Sequence, residues 1–153
     1  MTTAARPHAR LSPSAASRWL RCPASVGYIE EEELGDEGGT AANQGSILHA
    51  ICEQVLKTGV SPYSFIGDIK EYEGTTLEIT ETHADEIQKG VDYIDEIEGK
   101  LFVERRLDLG YWMRGQFGTL DVGIIGKKRV TIFDWKWGYL PVEAVDNDQL
   151  RIY

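Results

Sequence analysis

Three residues, Asp121, Asp134 and Lys136, combine types and spacing that could do chemistry on a phosphate ester. On a strand, Asp134 and Lys136 project from one face because they are two apart. A hairpin between the runs at 118–125 and 130–135 can bring Asp121 alongside Asp134. Two carboxylates and an amine then converge. Gathering like charges is costly unless a cation neutralises them, and hard carboxylate oxygens suit magnesium or manganese. A lysine beside such an ion can orient and help deprotonate the attacking water, or stabilise charge on a phosphorane-like transition state. That is the equipment of phosphodiester hydrolysis. Asp-x-Lys alone fits equally an exposed strand face carrying an i, i+2 ion pair, so the surrounding elements give the pattern its meaning.

Those elements follow from periodicity. Ser12-Pro13 starts a helix with Ala15, Ala16, Trp19 and Leu20 on one face, and Pro23 ends it. Residues 1–10 have no period and are expected as a flexible arm, and the acidic, glycine-bearing stretch at about 30–40 as a mobile loop. Ile47, Leu48, Ile51, Cys52, Val55 and Leu56 recur at helical spacing and predict an amphipathic helix over 45–57, ending near Gly59. Ile87, Val91, Ile94 and Ile97 predict a second helix over 82–98, with Thr82 and Asp85 as a capping pair and Gly99 as its stop. The period then changes to two. Residues 100–109, 118–125 and 130–135 read as a three-strand antiparallel meander with Gly126-Lys127-Lys128-Arg129 as its second turn. Asn147 or Asp148 can cap a final helix through Gln149 and Tyr153, and the chain stops within its first turns.

Composition bounds the answer. The chain has 153 residues, 42% of them hydrophobic, enough for one ordinary core, so a single domain over 11–153 is expected after the arm. No run approaches the roughly 18 consecutive apolar residues of a spanning helix, and no apolar segment follows Arg6 and Arg10 as in a secretory signal. No membrane partner and a cytoplasmic location are expected. Cys22 and Cys52 are too few for a disulfide scaffold and are expected to be reduced thiols. The net charge is −9, which taken as an average disfavours a nucleic-acid ligand. The average conceals a division: residues 1–29 hold four basic and no acidic side chains, whereas 30–99 hold 18 acidic and three basic. Residues 100–153 return to nine basic against seven acidic. Such a chain can present a basic or neutral face and an acidic back, although a generic acidic solvated surface gives the same count.

The order Gly45-x-x-x-His49, Gly118-Thr119-Leu120-Asp121, Asp134-Trp135-Lys136 and Gln149-x-x-x-Tyr153 resembles the motif series of RecB-like nucleases in the PD-(D/E)XK superfamily. The opening from Leu11-Ser12-Pro13-Ser14 to Arg21-Cys22-Pro23 is also similar to the first helix of that group, particularly of phage-type exonuclease relatives. The resemblance covers residues 11–153 and implies that the cell is a bacterium or a phage-infected host. It implies an α+β or α/β fold with a restriction-endonuclease-like core: helices on a mixed sheet that contains the antiparallel meander, the final helix and strand incomplete. It implies His49, Asp121, Asp134 and the Trp135 carbonyl as metal ligands for Mg2+ or Mn2+, and Lys136 as the catalytic amine. Gln149 and Tyr153 would contact the DNA backbone or brace the site. Cys22 resembles the first cysteine of iron–sulfur relatives, whose remaining three would lie beyond Tyr153, so no cluster is expected in this chain.

Further candidates surround that set. Glu53, one turn after His49, could orient the histidine or hold a second metal through water, or be an ordinary exposed glutamate. Glu104 lies on the first meander strand, where family members often carry a glutamate, and could equally pair with a neighbouring arginine. Arg105, Arg106 and Arg114 could contact phosphates, and Trp112, Trp137 and Tyr139 could stack on unpaired bases or pack in the core. The expected function is a metal-dependent DNA nuclease, an exonuclease on linear DNA in phage-type replication or recombination, with DNA, a single-strand-binding or annealing protein, and a second copy of the chain as partners. The alternative is a catalytically inactive, truncated nuclease-like subunit that binds or regulates a partner. An acidic mimic of DNA would explain the charge but not the ordered motifs.

Overall fold

In a computed structural model that describes residues 9–31, 39–138 and 142–153, a short 3-10 turn at Pro13–Ala15 leads into α1 (Ala16–Arg21), and α2 (Ala24–Glu31) follows. Pro13 sits in the first turn, where its missing N–H costs nothing, and Pro23 separates the two helices. The expected arm falls largely on residues 1–8 and the acidic loop on 32–38, both outside the described residues. α3 (Thr40–Thr58) begins five residues ahead of the helix expected at 45–57. Its apolar stripe starts only at Ile47, so periodicity could not register the polar first turns that Gly39 initiates. Gly59 ends it at φ +71°, returning its N–H to the Val55 carbonyl at 2.8 Å.

A hairpin that the periodicity did not disclose comes next: β1 (Ile69–Tyr72) pairs with β2 (Thr75–Glu78). The two-residue turn has φ +45° at Glu73 and +74° at Gly74, the conformation that matches the twist of a tight hairpin. α4 (Glu81–Asp95) is shorter than the expected 82–98 and is capped differently. Thr80, not Thr82, forms the capping box: its hydroxyl accepts from the His83 N–H while its own N–H donates to His83 Nδ1. β3 (Lys100–Asp108), β4 (Phe117–Ile125) and β5 (Val130–Phe133) form an antiparallel sheet with β4 in the centre. α5 (Asp148–Ile152) closes the described chain, its cap being Asn147, which accepts from the Leu150 N–H at 3.1 Å. The architecture is α+β, and every strand pair among the described residues is antiparallel, so these strands do not make the mixed sheet that was expected. No helix among the described residues is long and apolar enough to cross a membrane.

By its internal contacts the chain forms two compact units, Met1–Glu37 with Arg105–Leu120 and Glu143–Tyr153, and Gly38–Glu104 with Asp121–Val142. In the first, α1, α5 and the turn at Pro13 pack together, and the Tyr153 hydroxyl donates to the Thr119 carbonyl at 2.6 Å. The second holds the main core. One face of α3, through Ile47, Leu48, Ile51, Cys52 and Val55, meets Phe65, Ile79 and Ile87. A smaller cluster joins Ile94 to Val122 and Ile124. Trp135 packs on both clusters.

Trp135 reaches that position because α4 has no side chain at Gly90, where a β-carbon would lie 2.3 Å from the indole. Gly90→Ala should therefore cost about 1–3 kcal/mol through overpacking, even after the ~1 kcal/mol gain in helix propensity. At Gly27, also helical, a β-carbon meets nothing within 4 Å, so Gly27→Ala should leave the urea midpoint equal or raised. A Gly90→Ala midpoint at or above the parent's would contradict this account of the packing.

Candidate metal centre

Four elements or segments of the second unit deliver the charged side chains. α3 buries the stripe that contains Leu48 and Cys52 and leaves His49 half-exposed on its flank. In β4, Leu120, Val122 and Ile124 point to one face and Asp121 to the other, and both faces of the strand are covered. The β4–β5 register ends at Val122 opposite Phe133, and the next position in line sets Asp121 opposite Asp134. The chain leaves the ladder there, and the Trp135 N–H turns back to donate to Asp121 Oδ2 at 2.8 Å. Trp135 and Trp137 stack with ring centroids 6.1 Å apart, holding this exit against the core.

Glu104 arrives by a local distortion. It sits within β3 at φ +50°, in the left-handed region that disfavours a residue with a β-carbon. The in–out alternation fails at the same place, with Phe102, Val103 and Glu104 all half-buried. A kink of this kind re-aims a strand side chain, and here it brings Glu104 Oε1 to 2.5 Å from His49 Nε2. The other ring nitrogen, Nδ1, lies 3.7 Å from Asp121 Oδ2. Histidine, glutamate and aspartate thus present ligand atoms that all lie within 4.8 Å of one another. One imidazole nitrogen and two carboxylate oxygens make a group that could hold a metal ion. Asp134, nearly buried, pairs with the more exposed Lys136.

The electrostatics follow from this crowding. Burial pushes the Asp121 carboxyl up to about 6, and the negative charges of Asp134 and Glu104 add to the rise against the His49 charge and the Trp135 N–H. The hydrogen bond to Glu104, helped by the charges of Asp121 and Asp134, holds His49 above its ordinary value despite the opposing effect of burial. Cys52, beneath the site, is raised to about 12 by burial and then by the Asp121 charge, which leaves an unreactive packing thiol.

The remaining sequence candidates are distributed elsewhere. Glu53 turns to Lys57, one turn on, and is not among the clustered ligands. That pair is visible in the sequence at i, i+4 spacing. For Glu104 the resemblance marked the position but no spacing marked the contact with His49, because a positive φ inside a strand leaves no mark on its pattern. Trp137 is half-buried against the core, and Trp112 is 80% exposed. Tyr139 lies outside the described residues. Gln149 and Tyr153 belong to α5 and its cap in the first unit, as Arg105 and Arg114 belong to its 105–120 segment, where both are exposed. Cys22 and Cys52 are free thiols, exposed and buried respectively.

Fold and side chains together define an α+β protein with a histidine–carboxylate group able to hold a metal ion. The chain belongs to the family described as protein of unknown function (DUF2800), which it matches over residues 8–153. No solved structure matches it.

The raised Asp121 carboxyl has a definite consequence for stability. Its folded value of about 6 exceeds the ordinary 3.8, so the stabilising effect is complete below pH ~4 and is lost as the pH rises through 6. The loss amounts to on the order of 3 kcal/mol. His49, also raised, acts in the same direction at pH above its ordinary 6.5. Metal-free protein should therefore fall in stability relative to the Asp121→Asn variant as pH rises from 4 to 7, by urea unfolding in chelator. Parallel pH profiles for the two proteins would refute the assignment.

Proposed function

We propose that this protein is a metal-dependent DNA nuclease with a restriction-endonuclease-like core, acting as an exonuclease on linear DNA. The observation that carries the reading is the gathering of His49, Glu104 and Asp121 within 4.8 Å, beside the Asp134–Lys136 pair. Three carboxylates in one partly buried place repel one another, and a divalent cation relieves that repulsion. His49, Glu104 and Asp121 would hold the ion, with Asp134 and the Trp135 carbonyl as further candidate ligands. Bound magnesium or manganese supplies a lowered pKa for water and charge neutralisation at a phosphoryl oxygen. Lys136, held by Asp134, orients the attacking water through its ammonium donors and opposes the negative charge that develops on the phosphate. Asp121 is in turn oriented by the Trp135 N–H. Contacts of Gln149, Tyr153, Arg105 and Arg114 with the DNA backbone belong to the same reading. So do assembly with a second copy and a place beside a single-strand-binding or annealing protein in phage-type replication or recombination.

End-labelled linear DNA and the closed circle, each incubated with magnesium, manganese or chelator, provide the test. The parent chain should digest linear DNA only with metal and leave the circle intact. Asp134→Ala, Lys136→Ala and Glu104→Gln should each lower the rate at least about 100-fold, while Glu53→Gln should remain within about threefold. Digestion retained by Asp134→Ala, in preparations free of contaminating nuclease, overturns the proposal. So does a folded parent that cleaves nothing with either metal.

A further inference from the structure

The loop between β3 and β4 is tied down by its own backbone. Leu109 N–H donates to the Gln116 carbonyl at 3.0 Å, Trp112 and Met113 N–H donate to the Leu109 carbonyl at 2.9 and 2.8 Å, and Gln116 N–H donates to the Met113 carbonyl at 2.9 Å. Asp108 Oδ1 accepts from the Gly110 N–H at 2.7 Å, and Gly115 makes the return turn at φ +72°. Leu109 anchors the loop with 6% exposure. From this fixed frame Tyr111 and Trp112 stand out at 87% and 80% exposure, edge to face with ring centroids 4.8 Å apart. No other aromatic among the described residues is so exposed. Large rings left in water on a hydrogen-bonded loop have lost little conformational freedom by being placed there, and they gain apolar contact when a ligand covers them.

The charges around the loop indicate which ligand. Arg105, Arg106 and Arg114 are exposed, and none of them pairs with a carboxylate among the described residues, although the chain carries −9 overall. The Arg106 guanidinium lies over the Phe117 ring at 3.5 Å. Arg106, Gln116 and Phe117, with Asp108 and Gly115, line an open concavity of about 420 Å³. Unneutralised arginines select an anion, and exposed rings select a ligand with free π-faces. A nucleic-acid strand with unpaired bases offers both along its length, whereas a duplex hides its base faces in the stack.

We infer that the 109–116 loop is a stacking contact for single-stranded DNA, in which Tyr111 and Trp112 take unpaired bases and Arg105, Arg106 and Arg114 take the phosphates. The choice of DNA as the strand rests on the nuclease reading above. The rings and arginines define the single-stranded form.

Fluorescence anisotropy of a short labelled oligo(dT) strand and of a blunt duplex, titrated with the full chain in chelator, tests this. The strand should bind more tightly than the duplex. The Tyr111→Ala/Trp112→Ala double variant should lose at least about tenfold in affinity for the strand, and Tyr111→Phe/Trp112→Phe should stay within about threefold, because stacking needs only the ring face. Arg105→Gln/Arg114→Gln should flatten the log–log salt dependence by about 1.4, or ~0.7 for each phosphate released. Unchanged strand binding by the double alanine variant overturns the inference. So does equal affinity for the duplex, or no binding of either DNA. Chelator removes cleavage from the measurement, so failure of metal-dependent digestion and failure of strand binding are read separately.

Discussion

Mutual repulsion among Glu104, Asp121 and Asp134 is the constraint on which the second unit depends. Three carboxylates come together from the distorted β3, the middle of β4 and the segment just past β5, and Asp121 is almost fully removed from water. Such a group persists only if positive charge or donors oppose it. Each carboxylate has its own: His49 lies against Glu104 and near Asp121, the Trp135 N–H meets Asp121, and Lys136 pairs with Asp134. The raised position of both Asp121 and His49 expresses the same imbalance, since each is pushed toward the form that carries less negative or more positive charge.

The apolar framework keeps these charges from moving apart. α3 is clamped through five consecutive-turn apolar residues into the main core, which fixes the face on which His49 lies. Val122 and Ile124 seat β4 on Ile94 from its opposite face, so Asp121 has no freedom to rotate away. Trp135 joins the two clusters and fits over Gly90, and its backbone N–H is thereby aimed at Asp121. Packing and electrostatics meet in that residue: its ring is a core side chain and its peptide is part of the charged site. The left-handed backbone at Glu104 fits the same logic, because a strained residue survives where the surrounding contacts over-determine it.

Strong helical periods and alternating strands made most elements legible. The α3 stripe, the β3–β4–β5 meander, the Pro13 start and the Asn147 cap all follow from local rules. What escaped was weakly patterned: the β1–β2 hairpin has strands of four residues, and its Glu73-Gly74 turn was its clearest signal. The convergence of Asp121, Asp134 and Lys136 could be foreseen because a hairpin relates residues close in sequence by simple counting.

Sequence by itself determined the residue types of the charged site, the faces that β4 and α3 turn toward the core, and the neighbourhood of Asp121 and Asp134, since all three depend on spacings of a few residues. Tertiary structure alone decided which glutamate joins His49. Glu53 is the nearer in sequence but finds Lys57 on its own helix, whereas Glu104, 55 residues away, is turned inward by a single positive φ. Helical spacing brought both partners within reach of the local pair. Only the packing of α3 beside the bent strand could supply the distant one.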